Sequence, residues 1–209
     1  MIFHEILIVG GGLAGMRAAI EAAKKVKDVA IVSRVHPMRS HSGEAQGGIN
    51  AALANVEKGK DDTIDKHAFD TVKGSDFLAD QDASEYLTYQ GPETIFEMEH
   101  WGCPFSRTPE GKVAQRPFGG AGYPRTCYAT DKTGLYLLQT LYEQIIKEKV
   151  RVYEEWVVFA LGAERDNCYG VIAYDPNSGE LVPMGANAVI FSTGGIGRIY
   201  SNTTNALTN

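Results

Sequence analysis

The chain opens on a short apolar block, Ile6-Leu7-Ile8-Val9, that stops at three glycines. A block of that length without polar interruption predicts a strand buried on both faces in a parallel sheet. Over residues 13–26 the apolar and small positions Met16, Ala19, Ile20, Ala23 and Val26 recur at helical spacing. Val29-Ala30-Ile31-Val32 is a second buried-strand block. Strand, glycine turn, helix and strand in that order make a βαβ unit.

From residue 61 to 102 the pattern is helical. Asp82 predicts an N-cap for a helix through Tyr89. Gly91-Pro92 predicts a break, with Pro92 in the first position of a further helix that runs to His100. Residues 102–125 are rich in Gly, Pro and Arg and predict a long irregular loop, a feature usually tied to function in a compact domain. Residues 131–149 return to helix, with Leu135, Leu138, Leu141, Tyr142 and Ile145 on one face and Asp131 placed to cap it. The last third turns to strands at 150–153, 157–161, 169–174, 181–184 and 188–191, with a turn at Asp175-Pro176-Asn177-Ser178-Gly179. No repeat, linker or low-complexity stretch marks an internal boundary, so residues 1–209 read as one domain.

Composition narrows the classes. With 44% hydrophobic and 22% charged residues, 209 residues can bury a sizeable core. A net charge of −6 argues against a nucleic-acid partner. No apolar run reaches the roughly 20 residues a bilayer span needs. The first residues have neither the basic region nor the apolar stretch of a secretory signal. Cys103, Cys127 and Cys168 are not at metal-ligand spacing, so neither an iron–sulfur nor a zinc site is expected. Sparse, odd thiols fit a reducing compartment.

Gly10-Gly11-Gly12-Leu13-Ala14-Gly15 joins the first strand to the first helix. In such a turn Gly10 makes the bend, Gly12 lets backbone approach a pyrophosphate, and Gly15 lets the helix pack on the sheet. The helix N-terminus offers free N–H groups to phosphate oxygens. The acidic residue that commonly ends the second strand is replaced by Ser33 and Arg34, which tilts the reading away from NAD. His41 follows, just before Gln46-Gly47-Gly48. A neutral imidazole there can attack the 8α-methyl of a flavin once that methyl has lost a proton, with negative charge building at the pyrimidine end. Arg34 and Arg39 add positive charge nearby. Arg107, Arg116 and Arg125 fall in the long loop, where they fit either a dianionic ligand or a solvated surface.

Taken together, these segments resemble the flavoprotein subunit of succinate dehydrogenase and fumarate reductase. The residues carrying the resemblance are Arg39-Ser40-His41-Ser42 with Ala45-Gln46-Gly47-Gly48-Ile49, Asp70-Thr71-Val72-Lys73-Gly74-Ser75-Asp76 with Asp80-Gln81-Asp82-Ala83, and Trp101-Gly102-Cys103-Pro104-Phe105-Ser106-Arg107. Further matches are Arg116-Pro117-Phe118-Gly119-Gly120, Asp131-Lys132-Thr133-Gly134, Thr193-Gly194-Gly195-Ile196-Gly197-Arg198-Ile199-Tyr200 and Thr203-Thr204-Asn205-Ala206. They run in order over essentially the whole chain.

The resemblance implies an α/β fold: a Rossmann-like FAD-binding domain, glutathione-reductase-like in its βαβ unit, with an added antiparallel β-meander and incomplete at its C-terminus. It implies FAD held covalently by an 8α-N3 bond to His41. Gly10 to Gly15 would hold the pyrophosphate, and Ser33 and Arg34 the adenosine ribose. Ser40, His41, Ser42, Gln46, Gly47 and Gly48 would line the isoalloxazine, and Val158 would lie by the adenine. Ser192, Thr193, Gly194, Thr204 and Asn205 would complete the cradle. Gly47 and Phe118 would edge the dicarboxylate site. The implied reaction is hydride transfer between succinate or fumarate and FAD, with electrons relayed to an iron–sulfur subunit and a quinone. Membrane anchor subunits would hold the assembly on the cytoplasmic face of the membrane.

That family's subunit is much longer. The capping domain with its catalytic residues and the C-terminal helical domain have no counterpart in these residues, so no catalytic residue is assigned and no turnover is expected of this stretch alone. Two alternatives stand beside this reading. One is an L-aspartate oxidase, a soluble relative with a similar Ala-Gln-Gly-Gly-Ile segment but no linking histidine; His41 and residues 101–107 argue against it. The other is a catalytically inert nucleotide-binding chain.

Overall fold

A computed structural model of the protein describes residues 1–206; positions 207–209 of the expected 1–209 domain lie outside the described residues. The elements begin with β1 (Ile2–Val9), α1 (Leu13–Ala23), β2 (Val29–Ser33), β3 (Ile49–Asn50), α2 (Ile64–Gly74) and α3 (Gln81–His100). They continue with β4 (Gln115–Arg116), β5 (Thr126–Cys127), α4 (Thr133–Lys147), β6 (Arg151–Glu154), β7 (Val157–Glu164), β8 (Asn167–Asp175) and β9 (Glu180–Phe191). The chain forms two compact units, one of Met1–Gly43 with Leu138–Asn209 and one of Glu44–Leu137. No linker separates them: one crossing is at Gly43-Glu44 and the other falls inside α4.

The first unit is a six-stranded sheet in the order β6-β2-β1-β9-β8-β7. β1 pairs in parallel with β2 on one side and β9 on the other, and β6 pairs in parallel with β2. β7, β8 and β9 form the antiparallel meander. Leu7, Val9, Ala30, Val32, Val171, Ala173, Met184 and Ala186 make a buried core, with Tyr153, Trp156 and Val158 packed against it. Met16, Ala19 and Ile20 bury the inner face of α1. Each large side chain so buried contributes about 1.5–3 kcal/mol, which roots the loops at the strand ends.

Two strands differ from expectation. β1 starts at Ile2 because its polar residues are satisfied. His4 Nδ1 bonds Asp28 at 2.7 Å and Nε2 bonds Tyr153 Oη at 3.0 Å. Glu5 accepts the backbone N–H groups of Lys27 and Asp28. β9 is one twelve-residue strand where two were expected. Its first half pairs with β8, and from Met184 onward it pairs with β1. Gly185, which reads as a gap, gives room to the Phe3 ring: a Cβ there would lie 3.0 Å from it. Pro183 precedes the β1 pairing, so its missing N–H costs no bond on that side.

The second unit contains α2 packed against α3 and a small sheet in the order β3-β5-β4. Thr63 caps α2 by accepting the Lys66 N–H. The predicted break at Gly91-Pro92 does not occur: α3 is a single 20-residue helix with Pro92 inside it. Its cap is Asp80, which accepts the Ala83 N–H at 3.0 Å, rather than Asp82. Proline's φ suits a helix and forfeits one intrahelical bond. The buried stripe of Ser84, Thr88, Ile95 and Met98 continues on both sides of it, so packing holds the helix through the proline. The expected loop at 102–125 is pinned in its middle by β4 and by a bridge between Arg107 and Val113.

Candidate functional site

The carboxyl ends of the parallel strands β1, β2, β6 and β9 share one edge of the six-stranded sheet. β1 leads through α1 to β2 on one side, and β9 lies on its other side. The loops after β1 and β9 therefore part at a topological switch point, the usual ligand position in open α/β sheets. A cleft of about 680 Å³ lies there. Its lining includes Gly10, Gly11, Gly12, Leu13, Ala14, Ser33, Arg34, Ser40, His41, Ser42, Val158, Ser192, Thr193, Gly194 and Asn205. Fifteen residues taken from scattered segments of the sequence thus meet around one cavity.

The glycine turn is built tightly. The Gly10 N–H donates to Val32 O at 2.8 Å and the Ser192 N–H donates to Val9 O at 2.8 Å. Gly10 has φ +111°, and a Cβ on it would lie 2.2 Å from Ser192 O. Gly15 does not line the cleft; a Cβ there would meet Gly10 O at 1.8 Å, so its absence seats α1 against the turn. α1 then begins at Leu13 with no side-chain cap and no acidic residue in its first turn. Its leading N–H groups have no intrahelical acceptor and face an anion-favouring end of the helix dipole.

His36 shapes the segment that carries His41. Its Nδ1 accepts the Met38 N–H at 3.2 Å and caps the short 3₁₀ turn Pro37–Arg39. With Nδ1 acting as acceptor, the ring proton sits on Nε2, which lies 3.4 Å from a Glu154 oxygen. The Tyr142 ring lies tilted against His36, 5.1 Å between centroids, and its hydroxyl donates to the same carboxylate. The turn delivers Ser40, His41 and Ser42 to the cleft wall.

These residues fit a dinucleotide. The Ser40 hydroxyl oxygen is buried with no hydrogen-bond partner among the described residues, a state that costs about 1–3 kcal/mol unless a ligand or water bonds it. A Cβ on Gly12 would point toward the Ser40 and Ser42 hydroxyls at 3.9 and 3.8 Å, so the backbone there stands open to a phosphate. Arg34 is the one permanently charged side chain in the described lining. An uncapped helix end, hydroxyls and one cation suit a pyrophosphate and ribose, while Val9, Val32, Trp156 and Val158 supply apolar wall for aromatic rings.

The remaining candidates fall elsewhere. Thr204 is not in the lining, although its neighbour Asn205 is. Gln46, Gly47, Gly48 and Phe118 belong to the second unit. There Phe118 stands against Gly47, where a Cβ would meet the ring at 2.8 Å. The arginines of the long loop are each engaged. Arg107 pairs with Glu99. Arg116 donates to the carbonyls of Gln46 and Gly47 at 2.7 and 3.0 Å. Arg125 is fully buried against Asp62 and Asp70. Burial pushes the Cys127 thiol up to about 12, which makes it inert.

Sequence reasoning missed Val35, Trp156, Val157 and Phe191, all in the cleft wall. Trp156 and Val157 sit at the β6–β7 junction beside Val158, and Phe191 ends β9. Carboxyl-end positions of buried strands were the signal that would have found them.

The comparisons with known proteins identify the family. The family model described as "FAD binding domain" matches residues 5–209. The fumarate reductase flavoprotein subunit of Mycobacterium tuberculosis is 46% identical over 206 residues, which is 97% of this chain and 34% of that protein. The succinate dehydrogenase flavoprotein subunit of Rickettsia bellii is 46% identical over 98% of this chain and 35% of its own length. Among solved structures, E. coli quinol fumarate reductase FrdA superposes with a TM-score of 0.91 at 38% identity, covering 100% of this chain and 36% of that one. The chain thus spans about a third of the length of the relatives it matches.

Proposed function

The chain belongs to the FAD binding domain family, and from that premise we propose that it forms the FAD-cradling third of a succinate dehydrogenase/fumarate reductase flavoprotein subunit. The observation that carries the reading is the convergence of His41, the uncapped α1 end and the β9 loop on one cleft, in a chain 46% identical to subunits of both names. Bound FAD supplies a hydride acceptor for a succinate carbon, or a donor for fumarate. The α1 N-terminus with Gly11 and Gly12 binds the pyrophosphate. Ser33 and Arg34 hold the ribose, and Val158 backs the adenine. Ser40 and Ser42 orient the ring system. The β9 loop, through Ser192, Thr193 and Gly194 with Thr204 and Asn205, closes the cradle.

His41 is the attachment point through its imidazole nitrogen, and Gly47 with Phe118 edges the dicarboxylate. The relay partners are an iron–sulfur subunit and, through membrane anchor subunits, a quinone. The similarity to a quinol fumarate reductase supports this part of the proposal. None of the described helices is long and apolar enough to cross a membrane. Attachment on the cytoplasmic face through partner subunits is proposed from the similarity to a quinol fumarate reductase. The L-aspartate oxidase alternative is not favoured, because the relatives matched at 46% carry the other two names.

The test is anaerobic titration of the purified full-length flavoprotein that contains this chain. Succinate should bleach the flavin absorbance, and fumarate should restore it. Bleaching by L-aspartate with no response to succinate would overturn the proposal.

A further inference from the structure

The second unit contains a cluster of four ionisable side chains that the proposed function does not use. Arg125 has no exposed surface. Its Nε and Nη2 donate to the two carboxylate oxygens of Asp62 at 2.9 and 2.7 Å. Its Nη1 lies 2.8 Å from Asp70 Oδ2, which also accepts the Gly122 N–H. His67, one turn before Asp70 on α2, is 5% exposed, and its Nδ1 has no hydrogen-bond partner among the described residues. Burial first, and the Arg125 charge second, hold the His67 pKa below its ordinary value.

A buried ion cluster rarely stabilises more than apolar residues of the same volume would; its attested use is to fix one geometry. The geometry it fixes here is specific. Arg125 leads directly into β5, and its carbonyl accepts the Ala51 N–H at 3.0 Å. β5 is the central strand of the small sheet. On one side it pairs with Ile49 and Asn50, which follow Gly47 and Gly48. On the other it pairs with Gln115 and Arg116, which precede Phe118. Arg116 then reaches back to the Gln46 and Gly47 carbonyls. Strands of two residues carry too few backbone bonds to hold their own register. Gly47 and Phe118 therefore hang from one strand whose root is the guanidinium of Arg125.

We propose that Arg125, clamped by Asp62 and Asp70, is a positioning residue that sets Gly47 and Phe118 for the dicarboxylate. It acts through β5, since a side chain with no exposed surface cannot touch substrate. The inference rests on the function proposed above.

The experiment uses the full-length flavoprotein with its partner subunits and the variants Arg125→Lys, Asp70→Asn, Phe118→Leu and Arg125→Lys/Phe118→Leu. Lysine keeps the charge but loses the two-pronged bond. Malonate, a non-reactive dicarboxylate, is titrated against the flavin difference spectrum, and kcat/KM for succinate is measured beside it. A displacement of about 1 Å can cost roughly a hundredfold in rate. Arg125→Lys is expected to lower kcat/KM by about 10- to 100-fold and to weaken malonate binding about tenfold, with flavin content unchanged. Asp70→Asn, which leaves the Asp62 pair intact, should move both in the same direction by less, and it carries the test if Arg125→Lys does not fold. The double variant should lose little beyond its larger single. Wild-type malonate affinity in both cluster variants, or full additivity with Phe118→Leu, would overturn the inference. A wild-type protein that neither binds malonate nor is bleached by succinate would overturn the functional reading first, and this inference with it.

Discussion

The turns of the six-stranded unit grow out of apolar strands, while those of the 44–137 unit hang on charge. β2 is buried at all five positions, and β1 and β9 hold the cleft turns through long parallel ladders. In the other unit, strands of two residues are held by a buried arginine and two aspartates. Apolar burial is non-directional and indifferent to pH, whereas an ion cluster dictates angles and responds to protons. The first arrangement suits a cradle that must simply persist. The second suits a loop that must stand in one place.

The comparison breaks most sharply at Arg125. Replacing it with Met leaves Asp62 buried without its partner, and about 3–5 kcal/mol of stability should go. Thermal melting of the purified protein checks this, and an unchanged melting temperature would show that the cluster is not the root of its unit. In the cradle, Gly15→Ala should cost roughly 3 kcal/mol, the upper end of overpacking, because its Cβ would meet a backbone oxygen rather than a flexible side chain. It should also lower the amount of FAD incorporated per polypeptide, which the flavin absorbance of the purified protein would detect.

Acid separates the units more gently. The fold lowers the pKa of His67, chiefly by burial. Above the ordinary value of 6.5 the imidazole is neutral in both states and adds no pH dependence. As pH falls below it, the unfolded chain takes the proton first, so stability declines by at most about 1.4 kcal/mol per pH unit until the lowered folded pKa is reached. His67→Gln should flatten that part of the curve, and equal slopes in denaturant titrations of both proteins would contradict the account. The smallest effect belongs to the His36 cap. His36→Ala should cost about 1 kcal/mol, and His36→Asn, which can still accept the Met38 N–H, should recover most of it. Equal losses in the two variants would show that the cap does not hold the turn.

The same contrast governs how much the sequence reveals. The cradle is readable because buried parallel strands leave unbroken apolar blocks, as at residues 6–9 and 29–32, and because a glycine turn has a fixed spacing. The antiparallel meander was expected and is present. Where polar residues are satisfied inside a strand, as His4 and Glu5 are, the block hides the true start. Pro92 reads as a break because local preference cannot see the stripe that packs on both sides of it. β4 and β5 leave no period at all, and the pairing of Arg125 with Asp62 joins residues 63 positions apart. The three loop arginines could be grouped by spacing, but only the fold shows each with its own partner.

The central claim is that His41 stands in a flavin cleft as the attachment point. Trypsin releases it in the peptide from Ser40 to Lys58, which contains no internal Lys or Arg. That peptide should be weighed from the full-length protein isolated from its source. The account predicts a mass increased by one FAD, with fragment ions placing it on His41. An unmodified peptide from a protein that still carries flavin would contradict it.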